Sequence, residues 1–577
     1  MQYETPDGLC VVVGAVPGGC RLQQFVARNF REYLGRQSDA MHVNVRHAAA
    51  VACQRGCVLI DGQVAVGRQN LFGGEVVTLL KNSLDSLEQS DRSGSFRRGA
   101  PRMLVHMPED THSPGALGIP SWEGGSTSGS YPGSTHFRQY YRDLQRLLPR
   151  EDWEQCEQLF MRPVPLSLRM NLSSPQHRET MCELQQTFGT RIEMVPWMKS
   201  FGGALHIAPT FSSEEASEGL RLVNMLASAG DIVVQDGLSM LAAAALDPNP
   251  GQTVLDLCSA PGSKTCQLLD ALSRRASETG DLDAECSALV ANDMSAERSQ
   301  RTWGRARAQN CTSLIVTAAD GVQFPQLVDE GFDRILVDAP CSSDGTIRKE
   351  RKRLQRWKVD SALNHHALQI RLLHRGLELL KPGGRLIYST CCLNPIECEA
   401  VVQAALDQSS SDVHLLAAED VLPPGCPRGS PGLKSWCVPV PSEDRTGTSS
   451  DTTFKVYHSW DEVDEGNEVT CRSAIQRTMF PGRLAQQGSL SSCARFLPIH
   501  GPNFGGFFLA AFTKTRPEAS DTSSTLTLPG ASLGPLAPCK SKMLLTYCRE
   551  SPDAFQELVN FFGLEGPSMQ HLVESPD

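Results

Sequence analysis

The segment from Thr253 to Asp270, TVLDLCSAPGSKTCQLLD, constrains the fold more than any other part of the chain. Residues Val254 to Leu257 are apolar apart from Asp256, which is typical of a buried parallel strand, and SAPGS is a turn before the first turns of a helix. In a doubly wound sheet this arrangement holds a ligand beyond the carboxyl end of the strand, where backbone amides and small loop residues allow close approach. An ordinary βα turn that contains glycine is the alternative.

Strands and helices continue to alternate after this segment. Four further strand segments are SALVAND, TSLIVTAAD, DRILVDAP and RLIYSTCC, and a helix over 362–380 with a clean apolar stripe precedes the last of them. Such alternation predicts an α/β fold in which a doubly wound, Rossmann-like parallel sheet carries helices on both faces. FGGFFLAAFTK, from Phe504, predicts a last strand as half of an antiparallel hairpin at the sheet edge.

Aspartate residues stand at the carboxyl ends of three of these strands, at Asp293, Asp320 and Asp338. A carboxylate after the second strand can accept both ribose hydroxyls of a nucleotide, and one after the third strand can receive an exocyclic amino group of adenine. Capping of the following helix is an equally frequent use of aspartate, but three in order favour a nucleotide-like ligand. The chain has no GxGxxG and no GxxxxGK[ST] motif, which weighs against nicotinamide or flavin enzymes and P-loop nucleotidases.

Two cysteine residues follow neighbouring strands, and they indicate the class of reaction. VDAPCSSDGT places Cys341 just after one strand and IYSTCC places Cys391 just after the next, so the two thiols should meet at one end of the sheet. A single cysteine is more often a small buried hydrophobic residue, but both of these precede polar turn residues in the expected ligand crevice. The 20 cysteines are scattered through a long chain, which favours reduced thiols and an intracellular protein over a disulfide framework.

The chain has 577 residues, which is enough for several domains. Residues 1–82 combine helices, an Asp-Gly hairpin and a GGEVV strand, and they resemble the small RNA-binding module of ribosomal proteins and many pseudouridine synthases; a generic α+β appendage is the alternative. No signal peptide or transmembrane helix is expected from the apolar pattern. The expected organisation is that module at 1–82, a disordered linker at 83–136, a small α+β unit at 137–230, a catalytic domain at 231–515, a second linker at 516–540 and an unassigned unit at 541–577.

A basic run, RKERKRLQRWK, directly follows the Cys341 loop. The net charge of -11 argues against a uniformly basic nucleic-acid-binding protein, so any contact with nucleic acid must be a local patch. A charge run is usually a solvated face, but this one lies at the mouth of the predicted site. The expected RNA contacts are Arg348, Lys349, Arg351 and Lys352.

Together, DLCSAPGSKT, AND, VDAPCSSDGTIRK and YSTCCLNPIECEA resemble the motifs of the Sun-domain RNA cytosine-5 methyltransferases, over about Phe137 to Lys514. RKERKRLQRWK, RTMFPG and RFLPIHGPNFGGFF are similar to the eukaryotic tRNA-methylating branch of that family. The resemblance implies a class I methyltransferase sheet, S-adenosylmethionine as cofactor, no metal ion, and RNA as substrate, with tRNA favoured. It also favours a monomer and a nuclear or nucleolar location over a cytoplasmic one.

The resemblance also implies roles for individual residues. Cys391 would be the nucleophile that adds to carbon 6 of cytosine, because carbon 5 is a poor nucleophile until a thiolate has added. Asp338, at the cofactor, would hydrogen-bond ring nitrogen 3 through a protonated or proton-sharing carboxyl, and Cys341 would assist loss of the carbon 5 proton or product release. Asp293 would bind the ribose and Asp320 the adenine. The methionine part of the cofactor would be held by Cys258, Ser259, Ala260, Pro261, Gly262, Ser263 and Lys264.

Two residues depart from the family pattern. Ser343 stands where the family often has glycine, which should stiffen the loop, and Cys392 replaces a common serine beside the proposed nucleophile. Neither change removes a catalytic group. A ribosomal RNA methyltransferase and a catalytically idle RNA-binding scaffold are the alternative functions, and the presence of both cysteines and all three aspartates disfavours the scaffold.

Overall fold

The computed structural model describes residues 3–4, 10–13, 134–172, 174–201, 203–208, 213–279, 287–309, 314–328, 330–441, 454–465, 475–501 and 503–515. Apart from two short strands, the expected RNA-binding module at 1–82 lies outside these residues. So does the expected linker at 83–136, except for its last three residues, together with the segments at 516–540 and 541–577. These expectations remain predictions.

The strands of the described residues, numbered along the chain, alternate with helices as the sequence predicts. The strands are β1 Tyr3–Glu4, β2 Cys10–Val13, β3 Leu166–Met170, β4 Ile192–Met194, β5 Ala204–Ile207, β6 Ile232–Val234, β7 Thr253–Asp256, β8 Ala288–Asn292, β9 Leu314–Ala318, β10 Phe332–Asp338, β11 Leu380–Thr390, β12 Val413–Leu416, β13 Ser430–Pro431, β14 Val438–Pro441, β15 Phe454–Tyr457, β16 Ala494–Phe496 and β17 Phe507–Lys514.

The α-helices are numbered in the same way. They are α1 Ser134–Arg138, α2 Arg150–Phe160, α3 His177–Phe188, α4 Ser213–Ala229, α5 Ser239–Leu246, α6 Ser263–Thr279, α7 Ala296–Ala308, α8 Lys352–Gln355, α9 Asp360–Leu379, α10 Glu399–Gln408, α11 Ala418–Val421, α12 Trp460–Glu465 and α13 Arg483–Gln486. A π-helical turn, Gln139–Leu144, continues α1. No helix in these ranges is long and apolar enough to cross a membrane.

One large sheet organises the chain. Its strand order is β1-β2-β9-β8-β7-β10-β11-β17-β16-β13, and β12 pairs with β17 as well. Strands β9, β8, β7, β10 and β11 run parallel, whereas β17 pairs antiparallel with β11. The expected doubly wound α/β sheet is therefore confirmed.

The strand order reverses at β7. From β7 the chain proceeds outward through β8 and β9, and it then returns to place β10 on the other side of β7. In sheets of this kind a crevice opens at the carboxyl ends of the strands where the order reverses. The sequence segments at 256–264 and 338–346 follow these two central strands and therefore border one crevice.

Both faces of the central strands are buried. Leu255 and Ile335 pack in the apolar cluster on one face, and their neighbours Val254 and Leu336 pack in the cluster on the other. Burial on both sides explains why these strands are nearly continuous apolar runs in the sequence. The helix predicted over 362–380 is confirmed as α9, with its apolar stripe in the core.

Strand β17 corrects one prediction. We expected FGGFFLAAFTK at the sheet edge, but β17 pairs with β11 on one side and with β12 and β16 on the other. Short strands added beyond it cover the hydrogen-bonding groups that an edge strand would expose. Its first residue, Phe507, consequently lies in the interior beside the crevice.

A second, four-stranded antiparallel sheet precedes the large one, with the order β4-β5-β3-β6. Residues of α3 and α4 pack in the same apolar cluster as its strands. The expected domain boundary after residue 230 is wrong, because β6 (Ile232–Val234) pairs with β3 and so belongs to this small unit. The apolar run IVV was compatible with either sheet, and the sequence pattern alone could not assign its partner.

Candidate active site

A cavity of about 720 Å³ opens at the carboxyl ends of β7, β8, β10 and β11. Its lining includes the loop after β7, the aspartates after β8, β9 and β10, and the two cysteines after β10 and β11. The small unit contributes Val164 to Ser167 and Val234 to Asp236 to the same cavity. Within the described ranges, no group of three or more His, Cys, Asp or Glu side chains could hold a metal ion.

The two cysteine side chains meet in this cavity. The Sγ atoms of Cys341 and Cys391 lie 3.5 Å apart, and both residues line the cavity wall. Their convergence follows from strand register, because Asp338 of β10 pairs with Ser389 of β11, three and two residues before the respective thiols. The meeting of the two sulfur atoms that the sequence predicted is confirmed.

The contact between the thiols separates their pKa values. A hydrogen bond from Cys391 is the largest influence on Cys341 and holds the pKa of its thiol well below the ordinary value. The same hydrogen bond, together with burial and the negative charge on Cys341, raises the pKa of Cys391. Two adjacent thiols ionise one at a time because each thiolate opposes the other. The contact therefore favours ionisation of Cys341 ahead of Cys391.

Asp338 lies next to this pair and is fixed from two sides. Its Oδ2 accepts a hydrogen bond from Lys264 Nζ at 2.8 Å, and its Oδ1 accepts one from Ser389 Oγ at 2.7 Å. Lys264 Nζ also donates to Ser239 Oγ at 2.6 Å. Burial acts to lower the pKa of Lys264, but the attraction and hydrogen bond of Asp338, together with the charges of Cys391 and Asp256, raise it overall. The geometry thus provides a hydrogen-bonded Lys264–Asp338 pair rather than an isolated carboxyl.

The loop after β7 forms one wall of the cavity. Cys258, Ser259, Ala260, Pro261, Ser263 and Lys264 line it. Gly262 does not, and there the structure differs from the expectation. A Cβ at this glycine would lie 2.8 Å from the Cα of Thr302, and its φ of +99° also favours glycine. Gly262 thus allows the loop to pack closely on α7.

Asp293 and Asp320 both line the cavity, as expected. Asp293 accepts hydrogen bonds from the amides of Ala260 and Ser295, at 3.3 and 3.0 Å. Asp320 accepts one from the amide of Val322 at 3.0 Å and caps a short 3₁₀-helix. Asp320 therefore caps a helix, which the sequence analysis gave as the alternative, and it also lines the cavity.

Unpaired buried oxygen atoms show that this wall suits a polar ligand. In the described part of the chain, Asp256 Oδ1 and Ser259 Oγ are buried without a hydrogen-bond partner, and both residues line the cavity. Burial raises the pKa of Asp256 to about 7. Buried polar groups without partners are uncommon and are often satisfied by a ligand. A ligand with an ammonium group and hydroxyl groups would meet acceptors here.

Glu397 is a site residue that the sequence analysis missed. It is fully buried, and its Oε1 accepts hydrogen bonds from the Ser342 amide at 2.8 Å and from Gln369 Nε2 at 3.1 Å. Its Oε2 bonds to the Ser342 hydroxyl. The carboxyl therefore fixes the residue next to Cys341 from behind. A glutamate between the apolar residues Ile396 and Cys398 was the available signal.

A buried aspartate and the unusual Ser343 also shape the Cys341 loop. Asp344 accepts hydrogen bonds from the Leu393 amide at 2.7 Å, from Tyr141 and from Trp357 Nε1 at 3.3 Å. Ser343 has a φ of +58°, a left-handed conformation that favours glycine. Its hydroxyl lies 3.8 Å from Cys341 Sγ. The serine thus adds a polar contact to the thiol at the cost of a strained backbone.

Cys392, the second departure, does not line the cavity. It is fully buried, and its Sγ lies 3.2 Å from Thr390 Oγ1 and 3.6 Å from Cys398 Sγ. Burial raises the pKa of its thiol well above the ordinary value. Cys392 therefore packs in the core as an inert thiol.

The expected RNA contacts divide into two groups. Arg348 is only 5% exposed, and its guanidinium donates to the main-chain oxygens of Arg162, Pro163 and Phe504. The prediction that Arg348 contacts RNA is wrong, because this cation is used to join three loops. Lys349 lines the cavity and lies 2.9 Å from an Asp236 carboxylate oxygen, while Arg351 and Lys352 are exposed.

The buried carboxyl of Glu397 leads to a prediction about pH and stability. Burial, with the nearby negative charges of Cys341 and Asp344, raises the pKa of Glu397 from 4.5 to about 8. A raised carboxyl pKa contributes stability below pH 4.5 that is lost progressively as the pH rises to about 8. Glu397→Gln cannot ionise. Its amide oxygen can still accept from the Ser342 amide and from Gln369, and its amide nitrogen would donate to the Ser342 hydroxyl, which now donates to Oε2. As the pH rises through this window, the urea midpoint of the variant should increase relative to that of the wild type.

The exposed Glu419→Gln is the matched control and should follow the wild type at every pH. Urea unfolding at the two ends of the window measures the effect. If the urea midpoints of the wild type and Glu397→Gln changed with pH in the same way, ionisation of Glu397 would not be the cause of the pH-dependent loss of stability.

Comparison with known proteins shows which family the chain resembles. Residues 243–424, which contain both cysteines and the three strand-end aspartates, match the family described as 16S rRNA methyltransferase RsmB/F. The multisite-specific tRNA:(cytosine-C(5))-methyltransferase of Saccharomyces cerevisiae is 33% identical over 407 residues, which are 66% of this chain and 55% of that protein.

Two other relatives differ in their named RNA. The tRNA (cytosine(49)-C(5))-methyltransferase of Pyrococcus abyssi is 31% identical over 268 residues, 46% of this chain and 79% of that protein. The ribosomal RNA small subunit methyltransferase F of Aeromonas salmonicida is 30% identical over 275 residues, 45% of this chain and 52% of that protein. The chain thus spans about half the length of the yeast and Aeromonas relatives and most of the Pyrococcus one.

Proposed function

Because this chain belongs to the RsmB/F family of methyltransferases, we propose that it methylates carbon 5 of cytosine in RNA, with S-adenosylmethionine as methyl donor and tRNA as substrate. The thiol pair is the observation that carries the proposal. Two sulfur atoms 3.5 Å apart line one cavity with an Asp–Lys pair. An idle RNA-binding scaffold would not need either thiol at this cavity.

The chemistry of cytosine explains why a cysteine is required. Carbon 5 of the ring becomes nucleophilic only after a thiolate adds to carbon 6. Cys391 is the proposed nucleophile, and Cys341, when ionised, lies within reach to accept its proton as the sulfur–carbon bond forms. A thiol with a raised pKa would thereby be activated by a neighbouring thiol that ionises more readily.

The Lys264–Asp338 pair would stabilise the adduct. Addition of the thiolate to carbon 6 moves an electron pair toward ring nitrogen 3, and a proton shared by Lys264 and Asp338 can neutralise that nitrogen. The two hydrogen bonds to Asp338 fix the direction of its carboxylate. Cys341 would later assist loss of the carbon 5 proton or release of the product, when the bond between Cys391 and carbon 6 breaks.

The methyl donor, S-adenosylmethionine, would occupy the part of the cavity between the β7 loop and the strand-end aspartates Asp293 and Asp320. The chemistry that S-adenosylmethionine supplies when bound is an electrophilic methyl group. Ser259 and Asp256 offer buried oxygen atoms without partners to its polar groups, Asp293 would bind the ribose hydroxyls and Asp320 the adenine amino group. The residues present therefore fit the cofactor that the family implies.

A tRNA substrate is favoured by the names of the relatives, since the yeast and Pyrococcus proteins are both tRNA enzymes. A ribosomal RNA substrate is the second candidate, because the family description and the Aeromonas relative name ribosomal RNA. A nuclear or nucleolar location, favoured by the likeness to the eukaryotic branch, also belongs to the proposal and can be tested by imaging a fluorescent fusion.

Incubation with methyl-labelled S-adenosylmethionine and total RNA, followed by sizing of the labelled species, tests the proposal. We expect label in the tRNA fraction as 5-methylcytidine. Label in ribosomal RNA would establish the second candidate instead. RNA without label, from a protein that binds both RNA and the methyl donor, would show that the fold is retained as a scaffold.

A further inference from the structure

One face of α7 carries arginines that the proposed chemistry does not use. Arg298, Arg301 and Arg305 are spaced by three and four residues, which places them on one side of the helix. All three line the cavity that contains the two thiols. We call these residues the arginine face. Arg307, on the same helix, is exposed but does not line the cavity.

The partners of these arginines leave them able to bind an anion. Arg301 is 63% exposed, and its contact with Glu297 is a surface ion pair, a type that contributes little to stability. Arg305 donates to Ser263 Oγ at 2.6 Å. Within the described residues no carboxylate lies at ion-pair distance from Arg305, and burial lowers the pKa of its guanidinium. A partly buried guanidinium without an anion is poorly compensated and favours a negatively charged ligand.

Arg298 connects the arginine face to the cofactor wall. It is 52% exposed, and it lies 3.4 Å from Asp293 and donates to the Ala260 main-chain oxygen at 3.1 Å. Arg298 therefore mainly links α7 to Asp293 and the β7 loop. The positive charge that a ligand could reach therefore resides mainly in Arg301, whose ion pair is exposed, and in Arg305.

A second basic segment lines the same cavity. Lys349 and Arg353, from the chain after the Cys341 loop, are also lining residues. Basic side chains from two separate segments therefore border one concave site in a protein whose net charge is -11. Five aspartates line the cavity as well, and Lys349 and Arg353 are paired with Asp236 and Glu350. The positive charge that could attract a polyanion is therefore concentrated on the arginine face.

We propose that the arginine face binds phosphates of the RNA strand that carries the target cytosine. The inference rests on the proposed function. It adds a second RNA-binding surface, besides the basic segment that follows Cys341. From Arg301 to Arg305 the helix rises about 6 Å, a span that suits two successive phosphates of one strand. Phosphate contacts at the cavity border would hold the strand while the target base leaves its stack to reach Cys391.

The test uses the full chain with Arg301→Gln/Arg305→Gln, and with Arg307→Gln as the matched control on the same helix. The dissociation constant for a fluorescein-labelled tRNA transcript is measured from about 50 to 300 mM salt. We expect the double variant to bind roughly tenfold more weakly, with the slope of log affinity against log salt reduced by about 1.5. Affinity for S-adenosylhomocysteine, measured by calorimetry, should stay at the wild-type value for both proteins.

An unchanged salt slope in the double variant would overturn the proposal. Loss of S-adenosylhomocysteine binding with intact RNA binding would also overturn it, because the arginines would then belong to the cofactor site. If Arg305→Gln prevents folding, the exposed Arg301→Gln alone should still lower the slope by about 0.7 to 0.9. RNA binding is measured without methylation. A wild type that shows this binding but methylates no RNA would refute the proposed function, while the inference that the arginine face binds RNA phosphates would still hold.

Discussion

Replacement of Cys341 by alanine is expected to leave the protein covalently joined to RNA. Removal of Cys341 also removes the hydrogen bond and the charge that raise the pKa of Cys391, so Cys391 can ionise to solvent and still add to carbon 6. The variant lacks only the help of Cys341 in loss of the carbon 5 proton or release of the product. The bond between sulfur and carbon 6 should therefore persist through denaturation. On a denaturing gel with labelled tRNA and S-adenosylmethionine, a slow-migrating band should appear in Cys341→Ala and be nearly absent in the wild type.

The double variant Cys341→Ala/Cys391→Ala is the control for this experiment. It should give no band, because the atom that forms the bond has been removed. Cys426→Ala, which changes a partly buried cysteine outside the cavity, should behave like the wild type. A Cys341→Ala protein that turns over freely, or a band that survives in the double variant, would refute the release role.

Replacement of Cys391 by alanine should abolish turnover. Without addition at carbon 6 the ring is not activated, and loss of a nucleophile costs at least roughly a thousandfold in kcat. Binding of S-adenosylhomocysteine should remain close to that of the wild type, because the cofactor wall is formed by the β7 loop and the strand-end aspartates. Single-turnover methylation and calorimetry on the same preparations measure the two quantities.

The same two assays on Cys426→Ala show whether removal of any cysteine has this effect. Turnover in Cys391→Ala within tenfold of the wild type would mean that another atom adds to the ring. A parallel loss of cofactor binding would indicate instead that the substitution damages the fold.

The central sheet and the thiol pair could be predicted because strand order and register fix them. The apolar runs of β7 to β11 are buried on both faces, so their sequence pattern is unambiguous. Residues just after neighbouring parallel strands must meet, which is why Cys341 and Cys391 could be brought together from sequence. The resemblance to the family added the expected roles.

Pairings and burial between distant segments could not be predicted. The partner of β6 is β3, some sixty residues earlier in the chain, and β17 becomes interior only because β12 and β16 pair with it. Arg348 lies in a basic run that looks solvated, yet three carbonyl groups from distant loops enclose it. Long-range contacts of this kind leave no periodic signal in the sequence.

The bond between protein and cytosine can be located directly. A tRNA transcript that contains 5-fluorocytidine cannot lose a proton from carbon 5, so the adduct of the wild-type protein should accumulate in the presence of S-adenosylmethionine. After digestion with protease and nuclease, mass spectrometry identifies the modified residue. The proposed function predicts a methylated fluorocytidine on the peptide that contains Cys391; attachment at Cys341, or no adduct at all, would contradict it.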